Sequence, residues 1–370
     1  MARRRRRIVH LTPLAALGGC EVNCLRVVQA LGDCDHLVVV FGAQGPMTRA
    51  WEAAGARVEH LGAWDTGLGN FTAALASWGR AQLEPDAVMY WSSSRVSAIL
   101  RTLKQWDAPW TIYLGNPLPG GVISTVRRAF DEWIHPAKPD VTMVACSNHV
   151  AASHRGATYF RRFPTRVIYN AVDRAFDREH IHRPLEPRSA PIVGMVARLD
   201  RIKDHKTLIR AIAAIAPDRP DIVLEFAGDG PLRGELEAEA RRLQVGDKVR
   251  FLGFRPVAPL LPRWDIYVHS TTESEGMGTA VAEAMLSGLP CLVSDLDVMR
   301  EVCGNEGAVF AAAGDAEGFS RGLLRLIRDR SLREKLGAAA RSRARNMFTS
   351  NQIGSAYARL VFPESPLGAS

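Results

Sequence analysis

Strand-like apolar runs alternate with helix-like runs along almost the whole chain, and glycine marks many of the turns between them. Segments in that order bury their apolar faces as parallel sheets covered by helices, so the expected class is α/β. I-V-H-L (Ile8 to Leu11) leads through Gly18-Gly19 into a helical pattern ending at Leu31. H-L-V-V-V-F (His36 to Phe41), a helix near Thr48 to Ala54, A-V-M-Y-W (Ala87 to Trp91), W-T-I-Y-L (Trp110 to Leu114), V-T-M-V-A-C-S (Val141 to Ser147) and R-V-I-Y-N (Arg166 to Asn170) follow. From Asp173 to Pro191 the periodicity lapses into Arg, His, Pro, Glu and Ser, a linker composition. The alternation then restarts with P-I-V-G-M-V-A-R (Pro191 to Arg198), a helix at His205 to Ile215, V-L-E-F-A-G-D-G-P (Val223 to Pro231) and a helix at Leu232 to Leu243. K-V-R-F-L-G-F (Lys248 to Phe254), D-I-Y-V-H-S (Asp265 to Ser270) and C-L-V-S-D (Cys291 to Asp295) are further strands. Two Rossmann-like domains in series are expected, residues 1–173 and 191–345, with 174–190 as linker and 346–370 as a closing helix and tail. Two such sheets make a cleft, and ligands bind beyond the carboxyl ends of their strands.

A length of 370 residues suits two domains with real cores. The net charge of +8 favours anionic partners such as nucleotides, phosphates or acidic membrane surfaces. Cys20, Cys24, Cys34, Cys146, Cys291 and Cys303 form no C-x-x-C pair and no zinc spacing, so buried free thiols in a reducing cytoplasm are expected. No apolar run approaches the ~20 residues needed to span a bilayer. Arg3 to Arg7 followed by an apolar stretch ending at Cys20 imitates a lipoprotein signal. His10, Thr12 and Pro13 interrupt that stretch, and a helical pattern begins at once after it. The arginine run is expected to be a solvated, frayed terminus, with contact to nucleic acid or anionic lipid as the functional alternative.

Near residue 280 the chain reads S-E-G-M-G-T-A-V-A-E-A-M-L-S-G-L-P, Ser274 to Pro290. Glu275 and Glu283 bracket a glycine-hinged entry into an Ala-rich helix. The first amides of a helix lack helical acceptors and carry the positive end of the macrodipole, so they attract anions. Gly276 and Gly278 remove side chains that would hold a phosphate away. Glu283 lies one turn, about 5.4 Å, beyond Thr279. A phosphate at the helix start with polyols beside Glu275 and Glu283 would together make a nucleotide sugar. The bland alternative is a plain Gly loop before a helix.

Other features fall at strand ends in the same half. Arg198 ends one strand and Lys203 precedes the next helix, and two such cations can neutralise a diphosphate. Gly228-Asp229-Gly230-Pro231 makes a tight turn. Taken singly, these read as a solvated basic loop and an ordinary turn.

The order V-A-R-L-D-R-I-K, A-G-D-G-P-L-R, V-R-F-L-G-F and S-E-G-M-G-T-A-V-A-E-A-M-L-S-G-L-P resembles the retaining GT-B glycosyltransferases of family 4. Gly18-Gly19-Cys20-Glu21 stands for that family's G-G-x-E loop, and V-I-Y-N-A-V-D (Val167 to Asp173) closes the first half. The resemblance runs from about Ile8 to Phe362 and rests on the order of the motifs. It implies two Rossmann-like α/β/α domains facing across a cleft, with the last helix crossing back to the first domain. It implies Glu275 at the donor sugar, and backbone amides of Gly276, Met277, Gly278, Thr279 and Ala280 at sugar and diphosphate. Glu283 would meet the ribose, and Arg198 and Lys203 the diphosphate. The base would sit by Phe254 and Arg255, and Gly18 and Gly19 would close over the phosphates.

The implied reaction moves a sugar from a UDP- or GDP-sugar to a glycan, lipid-linked or small-molecule acceptor. It retains anomeric configuration, with no cofactor and no metal. Asp295-x-Asp297 ends a late strand and is read as a loop. Where the family often has a histidine this chain has Gly115-Asn116-Pro117, and Asn116 becomes the acceptor-side candidate, able to hydrogen-bond but not to carry a histidine's proton chemistry. His135, His149 and His154 are expected as surface or core residues. The implied location is the cytoplasm, with peripheral contact to an anionic membrane as an option and no specific nucleic acid. The competing readings are a basic scaffold protein acting through Arg3 to Arg7 and a GT-B-like sugar-nucleotide epimerase.

Overall fold

The computed structural model describes residues 4–118, 140–155, 163–178, 190–272 and 274–363. Arg3, His135, positions 179–189 of the expected linker and the tail after 363 lie outside them. The chain divides into two compact units, Met1–Ala171 with Ser350–Ser370, and Val172–Thr349.

In the first unit, β1 (Arg7–Thr12), α1 (Gly19–Ala30), β2 (Asp35–Val40), α2 (Pro46–Ala53), β3 (Arg57–His60), α3 (Leu68–Ala81), β4 (Ala87–Tyr90), α4 (Val96–Thr102), β5 (Trp110–Leu114), β6 (Val141–Ala145), α5 (Asn148–Arg155) and β7 (Thr165–Val167) follow in chain order. Every strand pairing is parallel, and the order is β3-β2-β1-β4-β5-β6-β7. Central strands such as β4 and β5 are buried along their whole length, as continuous apolar runs in a doubly covered sheet must be.

The arginine run is not frayed over Arg4 to Arg7. Arg4 pairs with Asp86 at 3.4 Å, and Arg5 reaches Asp35 at 3.6 Å and the Asp33 carbonyl at 3.1 Å. Arg6 lies 4.2 Å from the Phe362 ring centroid, and Arg7 already belongs to β1. Carboxylates and carbonyls at the amino ends of the strands hold the segment down.

The second unit holds β8 (Ile192–Val196), α6 (His205–Ile215), β9 (Val223–Ala227), α7 (Arg233–Arg242), β10 (Val249–Gly253), β11 (Ile266–His269), α8 (Thr279–Leu286), β12 (Cys291–Ser294), α9 (Asp297–Cys303), β13 (Ala308–Ala311), α10 (Ala316–Arg328) and α11 (Arg330–Met347). Its parallel sheet runs β10-β9-β8-β11-β12-β13. The core joins Val193, Leu208, Ile212, Phe226, Val268 and Leu323 from strands and helices. Gly194 sits in β8 because a Cβ there would stand 1.9 Å from the Trp264 ring. Trp264 in turn donates from Nε1 to Oε2 of the buried Glu225 at 2.9 Å. Positions 174–178, expected within a linker, pack on this unit. Ser287 donates to the Phe176 carbonyl at 3.0 Å, and Asp177 holds Arg341 and Arg345 at 3.0 and 2.9 Å.

α12 (Ser350–Val361) belongs to the first unit and packs on α1, where Gly354 comes so close that a Cβ would lie 2.5 Å from the Ala30 Cβ. The six cysteines are free thiols, and Cys24, Cys146, Cys291 and Cys303 are buried. Among the described residues no helix is long and apolar enough to cross a membrane.

Candidate active site

In the second unit the strand order reverses between β8 and β11. A doubly wound sheet opens a crevice at such a reversal, beyond the carboxyl ends of the strands. The loop after β8 carries Arg198 and Lys203, and the loop after β11 carries Thr271 to Gly278. Side chains stitch the two loops together. Ser270 Oγ donates to the Asp204 carbonyl at 3.0 Å and the Thr272 amide to the Ile202 carbonyl at 2.9 Å, with Thr271 Oγ1 3.1 Å from that same carbonyl.

Glu275 is buried at the centre, and the Lys203 ammonium donates to its Oε2. The same oxygen accepts from Thr271 Oγ1 at 3.1 Å and lies 3.1 Å from His269 Nε2, while Oε1 accepts from the Gly278 amide at 3.2 Å. Burial pushes the carboxyl up, but the Lys203 charge and the His269 hydrogen bond outweigh it and hold Glu275 well below the usual carboxylate range. It stays ionised and aligned. Burial likewise pulls His269 down despite its bond to Glu275, so the ring is neutral near pH 7. A carboxylate only accepts, so Nε2 carries the proton.

His205, the first residue of α6, stands behind the pair. It is buried, pushed down to about 3 by burial, His269 and Lys203, and its centroid lies 4.9 Å from that of Phe226 in an edge contact. Neither of its ring nitrogens has a hydrogen-bond partner among the described residues. His269, Thr271 and His205 are absent from the sequence-predicted site. The signal for His269 was a histidine closing an otherwise apolar strand six residues before Glu275.

Gly278 is the hinge. Its φ of 70° lies in the left-handed region, and a Cβ would come 2.8 Å from Met299 Cε. α8 starts at Thr279, with Gly276 and Met277 buried before it and Glu283 buried one turn along. Thr279 and Ala280, the first two residues of α8, are half-buried.

Among the described residues no side-chain hydrogen bond or ion pair joins Arg198, Phe254 or Arg255 to this cluster. Arg198 is exposed and loosely paired with Asp200 at 3.8 Å. Phe254 is exposed after β10, and Arg255 donates to the Leu252 carbonyl at 3.2 Å beside a cavity of about 370 Å³ lined by Leu252, Arg255, Pro256, Pro259, Leu260 and Arg263. The Gly228-Asp229-Gly230 turn packs on the Arg198 loop, where a Cβ on Gly228 would stand 2.0 Å from the Ala197 carbonyl oxygen. Asp295 is held by Arg300 through bonds of 2.5 and 2.7 Å.

In the first unit, Gly18 precedes α1 with its Cβ position 2.5 Å from Glu21 Oε2, and Gly19 opens the helix with space around it. Asn116 is exposed, and its carbonyl lies 3.0 Å from Nε2 of the buried His154.

Comparison with known proteins fits this geometry. Residues 177–343 match the model of the family described as Glycosyl transferases group 1. The lipopolysaccharide core biosynthesis glycosyltransferase LpsE of Rhizobium meliloti (strain 1021) is 30% identical over 192 residues, 50% of this chain and 53% of that protein. The N-acetyl-alpha-D-glucosaminyl L-malate synthase of Bacillus anthracis is 28% identical over 204 residues, 53% of each. The chain thus spans about half the length of these relatives. Anabaena Alr3699/HepE, solved in complex with UDP and glucose, superposes with a TM-score of 0.82 over 95% of this chain and 98% of its own, at 21% identity. Sucrose-phosphate synthase of Thermosynechococcus elongatus gives 0.76 over 98% and 100%, at 18% identity. The chain has the GT-B fold, and its second unit is similar to the glycosyl transferases of group 1.

Proposed function

We propose that the protein is a retaining, metal-independent glycosyltransferase that takes its sugar from a nucleotide sugar, a UDP- or GDP-sugar. The observation that carries this reading is the Lys203–Glu275 pair at the strand-order reversal, next to the start of α8. Among the described residues Lys203, His269 and Thr271 crowd Oε2, whereas Oε1 accepts the Gly278 amide alone. A carboxylate oxygen has about two lone-pair sites, so Oε1 retains room for a sugar hydroxyl. An ammonium has three donors, and Lys203 gives one side-chain bond to Glu275, so it can hold a phosphate oxygen at the same time. The diphosphate lies at the α8 start, Glu283 takes the ribose hydroxyls, and the base rests by Phe254 and Arg255.

In the reaction the bond from the anomeric carbon to the diphosphate breaks. The acceptor hydroxyl oxygen bonds to that carbon on the same face, and its proton passes to the departing phosphate oxygen. Negative charge grows on the diphosphate, where Lys203, Arg198 and the helix start stabilise it. Glu275 stabilises positive charge on the sugar. The acceptor is a glycan, a lipid-linked sugar or a small molecule, and the names of the relatives, a lipopolysaccharide core enzyme and a malate glycoside synthase, span that range.

The test is a thermal-shift screen against nucleotides and nucleotide sugars. A ligand at about 100 times its dissociation constant adds ~2.7 kcal/mol of stability. One nucleoside diphosphate class should stand out, and Glu283→Ala and Lys203→Ala should each lose most of the shift. An unchanged shift in both variants refutes the donor site. Sugar-nucleotide products formed without any acceptor would point to an epimerase instead.

A further inference from the structure

The first unit's sheet also reverses its strand order, between β1 and β4, so it too opens a crevice beyond the carboxyl ends of those strands. The loop leaving β4 there is built around Arg95. Tyr90 Oη donates to the Ser94 carbonyl at 2.6 Å, and the Ser94 amide donates to Ser92 Oγ at 3.1 Å. Arg95 then turns into the left-handed region at φ 54°, a conformation glycine takes more cheaply. Its guanidinium carbon lies 4.1 Å from the Trp64 ring centroid and 5.2 Å from that of Phe71. Nη1 donates to the Trp64 carbonyl at 2.9 Å, and Trp64 packs on Phe41 and Phe71.

A guanidinium has five donors in a fixed plane. The bond to Trp64 uses one of them, and among the described residues no carboxylate pairs with Arg95. Covering an aromatic cluster needs neither a cation nor a left-handed backbone. A half-buried guanidinium fixed by a ring, with in-plane donors unspent, matches the geometry of an oxyanion.

We propose that Arg95 recognises an oxyanion on the acceptor, a carboxylate or a phosphate. This rests on the glycosyl-transfer reading above and makes Arg95 a specificity residue of its acceptor side.

The test uses the full chain saturated with UDP or GDP, whichever gives the larger thermal shift. Methyl β-D-glucuronide, glucose 6-phosphate and methyl β-D-glucoside are then titrated by calorimetry or saturation-transfer NMR. One anionic probe is expected to bind at least about tenfold more tightly than the glucoside. Whichever anionic probe is preferred assigns carboxylate or phosphate. Arg95→Gln should erase the preference and leave the nucleotide shift intact, while Arg95→Lys, which keeps the charge without the planar fork, should retain part of it. Equal binding of anionic and neutral probes, or a preference that survives Arg95→Gln, overturns the proposal. Absence of any nucleotide shift in the unmutated protein overturns the glycosyltransferase reading instead.

Discussion

The Lys203 ammonium donates to Oε2 of Glu275, and through that pair the loop after β8 closes onto the loop after β11. Both side chains are mostly out of solvent, at 20% and 8% exposure. Removing one partner of a buried pair strands the other charge, at a cost of about 3–5 kcal/mol. Lys203→Ala should therefore lower stability by ~3 kcal/mol, the lower end, because the ammonium keeps some solvent. The folded pKa of Glu275 is depressed, so its contribution is full above the unfolded value and is lost as pH falls through the folded one. The gap between the two proteins should thus shrink in acid. Urea melts at pH 7 and pH 4 measure it, and coincident midpoints at pH 7 would remove the pair from the stability account. A Lys203→Met, Glu275→Gln double variant should recover part of the loss.

His269 acts through Glu275, its Nε2 lying 3.1 Å from Oε2. His269→Leu should lower turnover by about tenfold, the scale of losing a supporting bond to a reacting group. Nucleotide affinity should change little, and His269→Gln, which keeps an N–H donor, should recover part of the rate. A parallel loss of nucleotide binding in both variants would mean a purely structural role.

A second histidine pair sits in the core of the first unit. Trp91 Nε1 donates to His10 Nδ1 at 3.1 Å, His10 Nε2 lies 2.9 Å from His36 Nδ1, and His36 Nε2 lies 2.9 Å from the Leu31 carbonyl. Trp only donates and a carbonyl only accepts, so the chain closes with both rings neutral, and an added proton sets two donors face to face. Burial, then the neighbouring ring, holds His10 well below its ordinary value of 6.5, and burial lowers His36. Groups with lowered folded values give full stability above about 6.5 and lose it below, by up to ~1.4 kcal/mol per pH unit for each histidine. Thermal midpoints should drop between pH 6.5 and pH 5, and His36→Gln should flatten that slope. An equal slope in the variant would place the acid sensitivity elsewhere.

Gly278 combines a left-handed backbone with a neighbour in the way of a side chain. Gly278→Ala should cost about 1–2 kcal/mol in stability, because alanine is strained at positive φ. It should also weaken nucleotide binding more than that loss explains, since the same residue shapes the α8 start. Thermal shifts with and without a nucleoside diphosphate separate the two effects. Full retention of the ligand shift would detach the hinge from binding.

The α/β class and most elements of the sheets were legible because apolar runs and glycine breaks report periodicity directly. β3 was not read, since R-V-E-H is short and only half-buried. The segment 174–178 read as linker by composition, yet Asp177 and two arginines pin it down, and a pairing 164 residues away leaves no local mark. Arg4 to Arg7 read as a loose terminus for the same reason, because Asp86 lies far along the chain.

The sequence by itself determined that two parallel sheets form in series, and it marked Glu275, Gly278 and Lys203 by their places at strand ends. Only the tertiary structure decided that Lys203 and Glu275 are partners, that His269 and Thr271 complete the cluster, and that Arg95 stands over Trp64 without a carboxylate among the described residues. The reason is physical. Periodicity encodes which face of an element is buried, whereas charge pairing depends on the strand order that brings β8 beside β11, and strand order is a property of the folded sheet.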